Sequence, residues 1–217
     1  MTPPDFIVFE GPNYSGKSTA LTELAAVLLA QGREVVTCRE PGGTPFGEAL
    51  RVTLKDPATR AGTFASALAF NAARKELNEV VIGPALARGA MVLLDRYFMS
   101  TEIFQGTLAP DVSQVERTIL ASLHRTFIQP DLTVFLLPSA EVIQQRIRRA
   151  RLDFGPDRFE GNAGEVTAYE KYAANYAGQH PTLILRPKLA DEGRSLCPQV
   201  LAVLPLNLAV VPAGCAR

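Results

Sequence analysis

Phe6-Ile7-Val8-Phe9-Glu10-Gly11-Pro12-Asn13-Tyr14-Ser15-Gly16-Lys17-Ser18 is the stretch on which the fold turns. An apolar run stops at a charge and a glycine. A loop closed by Gly16 follows, and then Leu21, Leu24, Ala25, Leu28 and Leu29 recur on one helical face until Gly32. The order is buried strand, tight loop, amphipathic helix. The loop fits G-x-x-x-x-G-K-[ST], with the flanking elements that motif requires. Glycines let the backbone curl so that several N–H groups face phosphate oxygens. The helix N-terminus adds a positive dipole end. Lys17 reaches the outer phosphates and the Ser18 hydroxyl joins a Mg2+ shell. Gly11, Asn13, Tyr14, Ser15, Gly16, Lys17, Ser18 and Thr19 are therefore expected to hold a nucleoside triphosphate with Mg2+. The competing reading, a chance Gly-rich turn, does not explain the strand and helix on either side. The motif leaves the acceptor open: water would make an NTPase or switch, a small molecule a kinase.

Outward from this loop the same alternation continues. Val35–Cys38, Met91–Leu94, Leu132–Leu137 and Thr182–Leu185 are further apolar runs of strand length. Phe64 to Leu86 reads as a long Ala-rich helix, bent or ended at Pro84. Val115 to Phe127 reads as another helix, and Ile143, Ile147 and Ala150 mark a third. Strands that are apolar throughout, separated by helices, predict an α/β fold: about five parallel strands with helices on both faces, in three layers. In such sheets ligands sit at the carboxyl ends of the strands. The 217 residues fit one domain, 1–217. Arg151 to Gly164 is polar and Gly-bearing, and is expected to be a mobile loop.

Composition narrows the function. Apolar residues at 47% and charged residues at 20% exclude a largely disordered chain. Lys+Arg and Asp+Glu are both 22, so nothing suggests a nucleic-acid-binding domain. Cys38, Cys197 and Cys215 fit no zinc spacing and read as reduced thiols of a cytoplasmic protein. The N-terminus lacks the basic start and apolar run of a signal peptide. The apolar stretch from Val200 to Pro212 is too short to span a bilayer, so no membrane partner is expected.

Charged residues then stand where the parallel sheet would place function. Arg39 follows the second strand, within Arg39-Glu40-Pro41-Gly42-Gly43-Thr44; its competing role is a surface ion pair with Glu40 or Glu48. Asp95, Arg96 and Tyr97 follow the third strand, with Ser100, Phe104, Gln105 and Gly106 beyond. Asp95 is placed to act on Mg2+ through water, and Arg96 to hold a phosphate. Phe70 and Arg74, four apart on a helix, share a face that can stack on a base and fork onto a phosphate or carbonyl. The competing reading of Phe70 is core packing.

These segments together resemble the thymidylate kinase family. The resemblance rests on Phe9-Glu10-Gly11 through Lys17-Ser18-Thr19, Arg39 to Thr44, Phe70-Asn71-Ala72-Ala73-Arg74, Asp95-Arg96-Tyr97 with Ser100, and Phe104-Gln105-Gly106. Pro130 to Thr133 and Asp157-Arg158-Phe159-Glu160 extend it, so that it covers about residues 5 to 177. It implies a P-loop kinase fold with a short lid at about 150–164, and transfer of the ATP γ-phosphoryl group to dTMP to give dTDP for dTTP synthesis. It further implies that Phe70 stacks on the pyrimidine and that Arg74 binds the base edge or the acceptor phosphate. Arg39 and Arg96 would hold that phosphate. Ser100 and Gln105 would contact the base, and Phe104 would lie against the sugar. A homodimer is implied too.

Two polyanions meeting in line need positioning and positive charge more than a strong base. Lys17, Arg96 and the cluster Arg146, Arg148, Arg149, Arg151 and Arg158 supply it. The resemblance places a catalytic arginine in the phosphate loop or the lid. Tyr14 and Ser15 occupy the loop positions, which assigns the role to Arg149 and Arg151. For other members of the cluster the competing reading is a solvated helix face. The chain departs from the family pattern at Asn13, where many relatives carry an acidic residue that holds the 3′-hydroxyl, and at Asn71, which replaces a frequent aromatic. Glu102 falls near the expected base pocket, and the match is lost from about Gly178. A kinase for another deoxynucleoside monophosphate and a non-catalytic ATP-binding protein are the alternative readings.

Overall fold

The computed structural model describes residues 5–56, 58–154, 164–188 and 195–204, without the side chains of 150–154. The apolar runs become five parallel strands: β1 (Phe6–Glu10), β2 (Val35–Arg39), β3 (Met91–Asp95), β4 (Leu132–Leu136) and β5 (Thr182–Leu185). Their order across the sheet is β2-β3-β1-β4-β5. The register pairs Phe9 with Asp95 on one side and with Val134 on the other. β1 is thus central, and every one of its five residues is buried. A strand covered on both faces has no polar side to show, which is why it reads as an unbroken apolar run.

Alternate side chains feed two separate cores. Phe6 and Val8 point into one with Tyr97, Phe98, Tyr169, Ala173 and Tyr176. Ile7 and Phe9 point into the other with Leu21, Leu24 and Leu28. The helices are α1 (Lys17–Ala30), α2 (Pro45–Lys55), α3 (Thr63–Leu77), α4 (Gly83–Ala87), α5 (Phe98–Thr101), α6 (Gln114–His124), α7 (Ala140–Phe154), α8 (Glu165–Ala177) and α9 (Cys197–Leu201). α1 and α9 cover the second core, while α8 and the end of α3 cover the first. The result is the three-layer arrangement expected from the sequence.

Three helix boundaries differ from the sequence reading. The helix expected over 64–86 is divided by a π-helical turn, Asn78–Ile82, and Pro84 does not end it but falls in the first turn of α4. Gly83 N donates back to Asn78 O, so the helical path runs on through the wider turn, which takes in a residue with no N–H to give. The turn is tied down by Asn78, whose Nδ2 donates to Arg74 O at 2.9 Å and whose Oδ1 accepts from Tyr97 Oη at 2.8 Å. α6 ends at His124, short of Phe127. α7 continues to Phe154, so the segment expected as a loop from Arg151 begins as helix. Its remainder up to Ala163, Cys215 and the end of the chain lie outside the described residues.

Candidate active site

The carboxyl ends of β1, β2 and β3 open onto one cleft of about 280 Å³. At the end of β1 the chain turns through Gly11 (φ 145°), Tyr14 (φ 61°) and Gly16 (φ 98°). A side chain at Gly11 would run into the Leu136 carbonyl, so the loop lies flush against β4. Lys17 opens α1 and folds back over the loop. Its Nζ donates to Gly11 O at 3.0 Å, Pro12 O at 2.8 Å and Ser15 Oγ at 3.3 Å. Burial, reinforced by the Arg96 charge, pushes the Lys17 amine down to about 7. Ser18 Oγ donates to Asp95 Oδ2 at 2.5 Å, joining the head of α1 to the end of β3.

The residue after Asp95 is held more tightly still. Arg96 sits at φ 71°, a left-handed backbone that non-glycine residues seldom adopt. Its Nη2 donates to Asn13 Oδ1 at 2.7 Å, and its Nη1 donates to Ser100 Oγ at 3.1 Å and Tyr169 Oη at 2.7 Å. Phe104 lies under the guanidinium at 5.6 Å. Behind these groups Glu10, fully buried, accepts from Tyr97 N, Ser100 N, Ser100 Oγ and Tyr169 Oη. Glu165, the first residue of α8, accepts from Asn13 N at 2.8 Å.

At the end of β2, Arg39 pairs with Glu48 at 3.3 Å. Glu40 turns inward instead and meets Arg74 Nε at 2.6 Å, with both side chains almost completely buried. Arg74 also donates to Asn71 Oδ1 at 2.9 Å and Thr101 Oγ1 at 3.2 Å. Burial pushes the Glu40 carboxyl up to about 7 although Arg74 pulls it down. Phe70 is half-buried and lines the cleft beside Arg74.

A protein-family model described as thymidylate kinase matches residues 9–178, a span that takes in this loop and the arginines beside it. The chain belongs to the thymidylate kinase family. A thymidylate kinase of Chromohalobacter salexigens is 40% identical over 200 residues, spanning 90% of this chain and 91% of that one. One from Chlorobaculum parvum is 36% identical over 84% of each chain. The crystal structure of the thymidylate kinase from Ehrlichia chaffeensis superposes with a TM-score of 0.62 at 25% identity, covering 83% of this chain and 86% of that one.

Seen as a thymidylate kinase fold, the chain brings most of the residues singled out from sequence to one place. Asn13, Ser18, Arg39, Phe70, Arg74, Asp95, Arg96, Ser100, Phe104 and Gln105 all line the cleft. Gly11, Tyr14, Ser15, Gly16, Lys17 and Thr19 form its loop and the first turn of α1. Arg149 is exposed on α7 and does not line the cleft, while Arg146, three residues earlier, donates to Tyr14 O at 3.0 Å. The side chains of Arg151 and Arg158 lie outside the described residues. Glu102 is drawn away from the cleft, to His124 Nδ1 at 2.8 Å and to the Tyr172 hydroxyl.

Sequence reasoning missed several groups of the thymidylate kinase site. Arg51 and Lys55 of α2 line the cleft; their four-residue spacing on one helix face was the available signal. Glu10 had a signal too, a carboxylate at the end of a wholly apolar strand. Tyr169 and Glu165 had none, because their partners lie far away along the chain.

Proposed function

We propose that this protein transfers the γ-phosphoryl group of ATP to dTMP, giving dTDP for dTTP synthesis. The observation that carries the reading is the convergence of Arg39, Arg74 and Arg96 on the cleft that adjoins the phosphate loop. One polyanion needs Lys17 and the head of α1; Arg39 and Arg96, at the ends of two further strands, give the cleft the positive charge that a second phosphorylated substrate needs. In this reading Phe70 stacks on the pyrimidine, Arg74 meets its edge or the acceptor phosphate, and Arg39 and Arg96 hold that phosphate. Ser100, Phe104 and Gln105 complete the nucleoside pocket.

Rate then comes from positioning two anions in line and from neutralising their repulsion, with no strong base required. The Ser18 hydroxyl would hold Mg2+ directly and the neighbouring Asp95 carboxylate would hold it through water, both being oxygens of the kind this ion takes. Bound there, Mg2+ would offset charge on the donor phosphates. Arg149 and Arg151 are assigned the positive charge that closes over the transferring group. The bond from Arg146 to Tyr14 O supports this, because it sets the arginine-rich end of α7 beside the loop. The reading includes a homodimer and a cytoplasmic enzyme working on small nucleotides. No helix of the described residues is long and apolar enough to cross a membrane.

The test is ADP release with ATP and Mg2+ against a panel of deoxynucleoside monophosphates. Preference for dTMP, abolished by Lys17→Ala, is the expected result. Preference for another monophosphate would reassign the acceptor. No transfer to any of them would overturn the reading.

A further inference from the structure

Three of the five N–H donors of Arg96 are bonded to the protein, one to Asn13 and two through Nη1 to Ser100 and Tyr169. The hydroxyls that receive the Nη1 bonds can do so only if their own hydrogens point elsewhere. Glu10 Oε2 receives them: Ser100 Oγ donates to it at 2.8 Å and Tyr169 Oη lies 3.2 Å from it, while the two hydroxyls are themselves 2.9 Å apart, so that Tyr169 reaches the carboxylate both directly and through Ser100. The other oxygen of Glu10 is taken by Tyr97 N at 2.8 Å and Ser100 N at 3.2 Å. The buried carboxylate therefore orients two hydroxyls, and their lone pairs fix the guanidinium. Nε–H and one Nη2 hydrogen remain uncommitted among the described residues, and these are what a phosphate oxygen would find.

Tyr169 is the part of this arrangement with no counterpart nearby in sequence. It comes from α8, 73 residues from Arg96, and is fully buried with its ring edge-on to Phe104. Burial holds its phenol in the protonated form that the bond to Glu10 requires. A left-handed arginine is costly unless its surroundings over-determine it, and Tyr169 makes one of its two shortest bonds. We infer that Tyr169, oriented by Glu10, is a positioning residue that aims Arg96 at the phosphate of the acceptor nucleotide. The inference rests on the reading above, that Arg96 grips that phosphate.

Tyr169→Phe tests it, because the ring and its packing stay and only the hydroxyl goes. The acceptor is whichever monophosphate the wild-type enzyme uses best, so a change in base preference leaves the test standing. Acceptor KM and calorimetric Kd are expected to rise about tenfold, the scale of a lost hydrogen bond to a charged group, with the KM for ATP unchanged; a lower melting temperature accompanies the change, because a buried bond is lost, and the split between acceptor and ATP is what a merely structural role would not produce. Made in an Arg96→Ala background, the same change is expected to leave acceptor Kd where Arg96→Ala alone puts it. Three results would overturn the inference. One is a Tyr169→Phe enzyme with wild-type acceptor KM and Kd. Another is a fall in melting temperature without any split between acceptor and ATP. The third is a penalty that adds in full to that of Arg96→Ala, which would mean that Tyr169 does not act through Arg96.

Discussion

Lys17 carries its charge at a cost, since burial and the neighbouring Arg96 together bring its amine down to about 7. A polyphosphate beside it favours the ammonium, so ATP binding at pH 8 is expected to take up close to about one proton, and at pH 6 almost none. Calorimetry in buffers of different ionisation enthalpy reads this directly; a proton count that does not change with pH would contradict it. Glu40 is the opposite case. Its carboxyl is raised to about 7 in the folded state. The native protein therefore holds that proton longer than the unfolded chain, and the group's contribution to stability is lost as pH rises from about 4.5 to about 7. Glu40→Gln removes this dependence. The melting-temperature difference between variant and wild type should move in the variant's favour across that window, and a constant difference would refute the assignment. The loop motif made Lys17 legible in the sequence, and residue types at the ends of apolar runs did the same for Arg39, Asp95 and Arg96. Which acid pairs with which base was not: Arg39 took Glu48, and Glu40 went inward to Arg74.

The unit of β1, its loop and α1 works only because Gly11 lets the chain pass close to β4. Gly11→Ala is expected to lower unfolding stability by more than about 1 kcal/mol, because it meets a backbone carbonyl at a φ that L-residues rarely adopt. Urea unfolding measures the loss, and an unchanged midpoint would mean that the loop has room to shift. The strands were legible because burial on both faces leaves no alternation to misread. The division of α3 from α4 was not, because a π-helical turn depends on tertiary bonds from Asn78 to Tyr97 and Ile128 rather than on local propensity. α6 shows the reverse: Ser113 and Glu116 form a reciprocal cap that begins the helix at Gln114, one residue before the expected start at Val115.

For the molecule as a whole, the proposed homodimer has a candidate surface. Val52 on α2, Leu68 on α3, and Val115 and Ile119 on α6 are exposed, although each is a large apolar side chain. α3 packs against both α2 and α6, so these side chains belong to neighbouring helices. Val52→Glu combined with Ile119→Glu is expected to convert a dimer to a monomer in light scattering; a dimer that persists would place the contact elsewhere. At this scale the sequence revealed which strand ends carry chemistry but not how distant segments join. Glu10 and Tyr169 are 159 residues apart, and no local pattern in either announces the other.

The three acceptors around Lys17 have one more consequence. A newcomer must offer the ammonium more than two carbonyls and a hydroxyl already do. A nucleoside offers nothing that competes, and a single phosphate only a little. A chain of phosphates displaces all three at once. The loop thereby acts as a threshold on charge, admitting ligands by how much anion they bring before their base is ever inspected.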